Sequence, residues 1–448
     1  MAKKKKSTEF NRILLYGVIA VALIIAGYYG FKSVSGSSAA GISLTTVDLS
    51  ASLDPTSPSA RILTPTDADN VVARFKFKAT GSGFAVKTLT ILLPNKTEGG
   101  QTISGWESAD IVGLEFKNEQ GQTTTNGMQV SGESTKFTDL SMYVPQNTTS
   151  ILTVLVDPKT VGSQGYVGEF GARIKAGLAS GIISGDFYAV SDNGLVVDTK
   201  VATKDIYAAE HVCYKSKPAI EAYTEPGGLA PDQVNGLYKF KVSADTAGEI
   251  AIKKFTFAIT IIDANGSSSN VTLSDFKFYR NNTDITGAGA QITNITTATP
   301  VTIESTNFLK PGRSTVQVAF GNTPATAGEQ AVAPGTNVQY YLLAKAGTGF
   351  AAGDSISVTL LGDPITDPGI HYNYLSDLDL DLGVQQRISL QRSSGIQLVK
   401  SANFIWSDKS VLSHAPTFDD DGVVETSSAD WTQGYLIPFP SAPRVLSL

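Results

Sequence analysis

The stretch "VARFKFKATGSGFAVKTLTI" at residues 72–91 returns in altered form as "LYKFKVSADTAGEIAIKKFTFAI" at 237–259. No other feature restricts the fold as much, because a chain that writes one strand pair twice builds the surrounding unit twice. Phe75-Lys76-Phe77 aligns with Phe240-Lys241-Val242 at an offset of 165, and Phe84-Ala85-Val86-Lys87 with Ile250-Ala251-Ile252-Lys253 at 166. Downstream, Pro145 aligns with Pro311 at 166, and "IKAG" ending at Gly177 with "AKAG" ending at Gly347 at 170. Matches in the same order at nearly constant offset mark a duplication with small loop insertions.

Each copy alternates apolar and polar residues with period two, the pattern of a strand buried on one face. The phase then changes. Apolar positions run Phe84, Val86 and then Leu89, Ile91, Leu93 in the first copy, and Ile250, Ile252 and then Phe255, Phe257, Ile259 in the second. A one-residue shift turns the core face to solvent unless an extra residue is absorbed, so a β-bulge is expected at Lys87-Thr88 and again at Lys253-Lys254. Turn signals such as "NEQGQ", "VPQNTT", "DANGSSS" and "LKPGR" separate the strands. The expected class is all-β, with two tandem homologous Ig-like β-sandwich domains after an N-terminal transmembrane or signal helix. The immunoglobulin disulfide is absent, because the chain has one cysteine, Cys213, read here as a small packed residue. The expected divisions are 1–40, 41–210, 211–410 with an insertion near 350–400, and a docked tail at 411–448.

The amino-terminal helix is read from "ILLYGVIAVALIIAGYYGF" at residues 13–31, flanked by Lys3, Lys4, Lys5, Lys6 and Arg12. Nineteen residues at about 1.5 Å each span a bilayer core. The basic cluster places the amino terminus in the cytoplasm and the remainder outside, anchored to the membrane or released after cleavage near "SVSGSSAAG". Without residues 1–40 the chain carries 29 basic against 40 acidic residues. That sign excludes nucleic acid as a partner. His211, His371 and His414 stand far apart, with no HExxH, GxSxG or paired Cys/His spacing, so an enzyme is not expected.

Two acidic stretches suit calcium. "FDDDGVVE" offers Asp419, Asp420, Asp421 and Glu425 around Gly422, hard oxygen donors on a turn, with a solvated loop as the plainer reading. Asp377, Asp379 and Asp381 share one strand face and read as a charged guard against edge pairing. Otherwise no cofactor is expected. Sequons at Asn95, Asn147, Asn265, Asn270, Asn281 and Asn294 are at the frequency expected of an Asn/Ser/Thr-rich chain. Trp106, Trp406 and Trp431 read as core or tail packing ahead of sugar stacking, and Trp406, Trp431 and Tyr435 are expected to dock the tail.

The duplicated "KFKV…AGEIAIKKFTF" unit, the "YKSKP" lead and the "FIWSDKS…H…DWTQGYLIPFP" ending resemble those of exported β-sandwich repeat surface proteins of candidate-phyla-radiation (Patescibacteria) bacteria. The resemblance implies an anchored or secreted surface protein and no catalytic residues. The expectation is a non-enzymatic cell-surface structural protein, an S-layer-like lattice or filament component that self-assembles. The alternative is an adhesin or carbohydrate-binding module contacting surface glycans or partner cells.

Overall fold

In the computed structural model, every regular element among the described residues is a strand, apart from one short 3-10 turn at Trp106–Ser108. The described residues are 46–67, 70–98, 101–103, 105–161, 171–183, 185–197, 201–225, 228–266, 269–287, 289–296, 301–303, 306–320, 329–363, 402–410, 414 and 430–448. Scarcity of helix-forming runs and abundance of Val, Ile, Thr, Phe and Tyr in alternation account for this outcome.

The first half contains β1 (Asp48–Leu53), β2 (Ile62–Leu63), β3 (Val71–Thr80), β4 (Phe84–Leu92), β5 (Lys96–Glu98), β6 (Gln101–Ile103), β7 (Ala109–Asn118) and β8 (Thr123–Gln129). It continues with β9 (Ser134–Phe137), β10 (Met142–Val144), β11 (Thr149–Pro158), β12 (Ala172–Leu178), β13 (Phe187–Ser191), β14 (Val196–Val197) and β15 (Ile206–Cys213). The second half contains β16 (Pro218–Ala222), β17 (Val234–Ala244), β18 (Ile250–Ile262), β19 (Leu273–Arg280), β20 (Thr283–Asp284), β21 (Gln291–Asn294) and β22 (Val301–Thr302). After these come β23 (Gly312–Ala319), β24 (Gln330–Val332), β25 (Asn337–Ala346), β26 (Ser355–Leu361), β27 (Ile405–Ser407), β28 (Trp431–Gln433) and β29 (Arg444–Ser447).

In each half a five-stranded sheet faces a larger one. The small sheets run β1-β3-β11-β7-β8 and β16-β17-β25-β19-β20, strand for strand the same order. The large sheets are centred on β4 and β18, each of which carries two successive neighbours along each edge. Inward side chains of the two layers meet. Phe77 of β3 stacks on Phe187 of β13 at 6.1 Å, and Phe240 of β17 meets Phe255 of β18 edge-on at 4.9 Å. Each such ring, fully buried, contributes roughly 1.5–3 kcal/mol relative to exposure.

Both bulges are present. Along β13, Tyr188 pairs with Thr88 and Ala189 with Val86, leaving Lys87 as the extra residue. Along β27, Trp406 pairs with Ile252 and Ile405 with Lys254, leaving Lys253. The extra residue restores the inward phase, so Leu89 and Ile91, and Phe255 and Phe257, all face the core.

The downstream alignment is corrected. Pro145 opens a turn in which Thr148 N–H and Oγ1 both donate to its carbonyl, and the same turn in the second half is built on Ala333 and Thr336. Pro311 instead precedes β23. Likewise "IKAG" lies in β12, beside β4, whereas "AKAG" ends β25, beside β17. The second half is longer between β18 and β24 than the first is between β4 and β10, and a constant offset cannot follow that insertion. Residues 355–361, placed by the sequence in an insertion, form β26, which pairs with β18.

Asp48–Leu448 forms one compact unit. A four-residue connection, Tyr214 to Lys217, joins β15 to β16, and each of its members is held. Tyr214 lies edge-on to Trp406 at 5.1 Å, Lys215 N–H donates to Asp408 at 2.7 Å, Ser216 Oγ donates to Gly248 O at 2.7 Å, and Lys217 pairs with Asp67 at 2.6 Å. Among the described residues no helix is long and apolar enough to cross a membrane. The run at 13–31 lies outside them.

Candidate functional site

The end of the chain is built into the second half's large sheet. β27 pairs with β28, and β29 pairs with β26. Ser447 O also accepts Leu229 N–H, so the last strand is held on both sides. Trp406 and Trp431 are fully buried and Tyr435 nearly so. Trp406 Nε1 donates to Gln433 O at 2.9 Å, satisfying the one polar atom of a buried indole. First-half residues close the other side: Arg173 sits 6.0 Å from the Tyr435 ring centroid, and Tyr214 Oη is 3.4 Å from Thr432 Oγ1. Of the three residues singled out for tail docking, Trp406 and Tyr435 touch Tyr214 and Arg173, and Trp431 packs beside His414 within the second half.

Around them lies a set of buried charges that no sequence pattern announces. His414 is clasped from both ring nitrogens, Nδ1 at 3.1 Å from Asp430 and Nε2 at 2.6 Å from Glu329. Burial alone would lower its pKa, but the hydrogen bonds to Asp430 and Glu329 outweigh it and raise it to about 9. At neutral pH the ring is an imidazolium between two carboxylates, 5.1 Å from the Trp431 ring. Lys409 extends the chain of charges, reaching Glu329 at 2.8 Å and Glu249 at 2.7 Å. Asp408 accepts the backbone N–H groups of Lys215 and Ser410. Complete burial pushes its pKa up to about 7.

The bulge contributes as well. Lys253 and Lys254 are 0% and 1% exposed, whereas Lys87 at the corresponding place in β4 is exposed. Burial lowers both lysines to about 8, with Glu329 and Asp363 respectively drawing them back up. Asp363 accepts N–H groups from Asn403, Phe404 and Gly434, tying the end of β26 to β27 and to the tail. Burial nonetheless holds its carboxyl above the usual range.

The chemistry of this arrangement is fastening. Carboxylates clasp amides and cations across elements distant in sequence, and Ser407 Oγ stands 3.5 Å from the His414 nitrogen that Asp430 holds. Among the described residues no group of three His, Cys, Asp or Glu is placed to hold a metal ion. Asp419, Asp420, Asp421 and Glu425 lie outside the described residues, as do Asp377, Asp379, Asp381 and His371. Cys213 is buried, and burial pushes its thiol up to about 12. His211 is buried with Nε2 at 3.0 Å from Val72 O, and burial lowers it to about 4. Trp106 is half-buried on its 3-10 turn. Four sequon asparagines brace the backbone: the side-chain oxygen of Asn294 accepts Thr296 N–H within a turn, and those of Asn95, Asn147 and Asn281 accept N–H groups of Gly105, Gly81 and Gln339 on other segments.

No protein-family model matches the chain, and no curated protein matches it. Among solved structures, the C-terminal domain of the Streptococcus agalactiae AgI/II polypeptide BspA aligns at 8% identity and TM-score 0.18, over 71% of this chain and 96% of that one. The CupB6 tip adhesin from Pseudomonas aeruginosa aligns at 8% and 0.18, over 70% and 95%. The CsuC–CsuE chaperone–tip adhesion subunit complex of Acinetobacter baumannii aligns at 9% and 0.24, over 69% and 99%. At these scores the superpositions are too loose to carry fold or function across to this chain.

Proposed function

We propose that the chain is a non-enzymatic structural protein of the cell surface, exported behind the apolar run at 13–31 and assembling into a lattice or filament. The observation that carries this reading is the junction. Two sheet pairs are locked to each other through Tyr214, Trp406 and Tyr435, and the buried charges about them serve attachment between elements. A unit held stiff at such a joint transmits position from copy to copy, which an assembly requires and a catalyst does not. Calcium held by Asp419, Asp420, Asp421 and Glu425 belongs to the same proposal as a bridge between copies. The test is electron microscopy of the purified full chain, first with chelator and then with millimolar calcium. Ordered sheets or filaments are expected, and particles that stay single in both conditions would overturn the reading.

A second reading, an adhesin taking a surface glycan, draws on the groove lined by Phe116, Asn118, Gln122, Ser141 and Tyr143. Amide and hydroxyl groups beside an aromatic ring suit a sugar. Saturable binding to a glycan array, lost in Gln122→Ala, is its expected outcome. Absence of binding to any glycan contradicts it.

A further inference from the structure

The outer strands of the sheets are not equally protected. β16 carries Pro218 and Glu221, β1 begins at Asp48 and is tied to Val201 through Ala51 N–H, and β29 carries Arg444. β14 and β22 are two residues long. β20, in the place corresponding to β8, is also two residues long, follows Asn281 and Asn282 at positive φ, and bears the Asp284–Lys277 ion pair. Short edges, prolines and charges are the usual defences against strand addition. β8, with the sequence Thr-Thr-Thr-Asn-Gly-Met-Gln, has none of them over seven residues.

The hydrogen-bond phase of β8 shows which groups it leaves open. Val130 N–H donates to Asp110 O, and Gln122 O accepts Asn118 N–H, so the even-numbered residues between them point their backbone groups at β7. Thr123, Thr125, Gly127 and Gln129 therefore point theirs away from the sheet. Met128 on the same strand is 42% exposed.

We propose that two copies of this chain pair edge to edge through β8, antiparallel about a two-fold axis at Asn126, joining their small sheets into one. In this register Thr125 opposes Gly127 and Thr123 opposes Gln129, so every outward N–H and C=O of the strand meets a partner. Thr124 opposes Met128 of the second copy. A second copy is the occupant because the edge is self-complementary in this register and carries no charge, although the chain as a whole is net negative and repels its copies elsewhere. The pairing rests on the structural role proposed above and names its first contact.

The test is sedimentation velocity of the full chain over a concentration series, beside Thr125→Pro and Asn126→Cys. Proline at 125 removes an outward N–H and no bond to β7, so the fold is retained. The expected results are a reversible dimer, about tenfold or more weaker in Thr125→Pro, and a covalent dimer of Asn126→Cys on oxidation, since facing non-hydrogen-bonded residues bring their Cα atoms to about 4.5 Å. Glu221→Cys on β16 should give none, and native Cys213 is buried. A monomer at every concentration, an unaffected Thr125→Pro dimer, or no cross-link at 126 would overturn the edge pairing. Arrays that persist in Thr125→Pro would also overturn it while leaving the structural role standing. A β8 dimer without arrays would do the reverse.

Discussion

At the scale of single residues the account rests on His414. Its folded-state pKa is raised, so its contribution is complete below about 6.5 and is lost as pH rises through about 9. Asp408 is raised too, and its contribution falls as pH climbs from the ordinary carboxylate range through about 7. His211 is lowered, so its contribution is present above about 6.5 and is lost as pH falls through about 4. Lys253 and Lys254 are lowered to about 8, so their contribution is present above the ordinary lysine range and is lost as pH falls through about 8; on the alkaline side the loss of the His414 contribution is therefore set against this gain. Because the His414 ring lies 5.1 Å from that of Trp431, tryptophan emission should follow a titration near 9 that His414→Gln abolishes. An unchanged titration in that variant would disprove the assignment. Removing one member of a buried charge cluster typically costs about 3–5 kcal/mol, and His414→Gln should lose an amount of that order in urea denaturation. Trp406→Ala should lose a similar amount, about 3–5 kcal/mol, through the cavity it leaves.

At the scale of elements the bulges separate what a sequence can show from what it cannot. Phase shifts at Lys87 and Lys253 were legible because a strand's period is two and one extra residue is visible in the spacing of Phe, Ile and Leu. Deleting Lys253 should remove the bulge and leave Ile250, Ile252, Phe255 and Phe257 at a strict spacing of two on one face, so near-wild-type far-ultraviolet circular dichroism is expected. Loss of the fold in that variant would contradict this reading of β18. The fate of the two bulge lysines was not legible. Lys87 is exposed and Lys253 buried, although both sit in the same local pattern, because burial is decided by what packs over β18. The partners of β11 were also hidden, since the longer segment between β18 and β24 moves every later correspondence. Asp363, Glu329, Asp408 and Asp430 come from separate stretches, and only the fold brings them to the tail.

At the scale of the whole molecule the four residues from Tyr214 to Lys217 replace a flexible linker with a fixed joint. Shared burial of Trp406, Tyr214 and Arg173 should make the halves unfold in one transition. Tyr214→Ala combined with Lys217→Ala should separate it into two by differential scanning calorimetry. A single transition in that variant would mean that the coupling lies elsewhere. The joint and the proposed β8 pairing together describe a unit that would keep its shape and add a neighbour. The central claim is that such units build a surface layer. The most direct test is cryo-electron tomography of intact cells that make the protein. A regular array outside the membrane, disordered when Thr125→Pro is substituted, is the predicted result. Isolated particles without order, or protein confined to the cytoplasm, would contradict it.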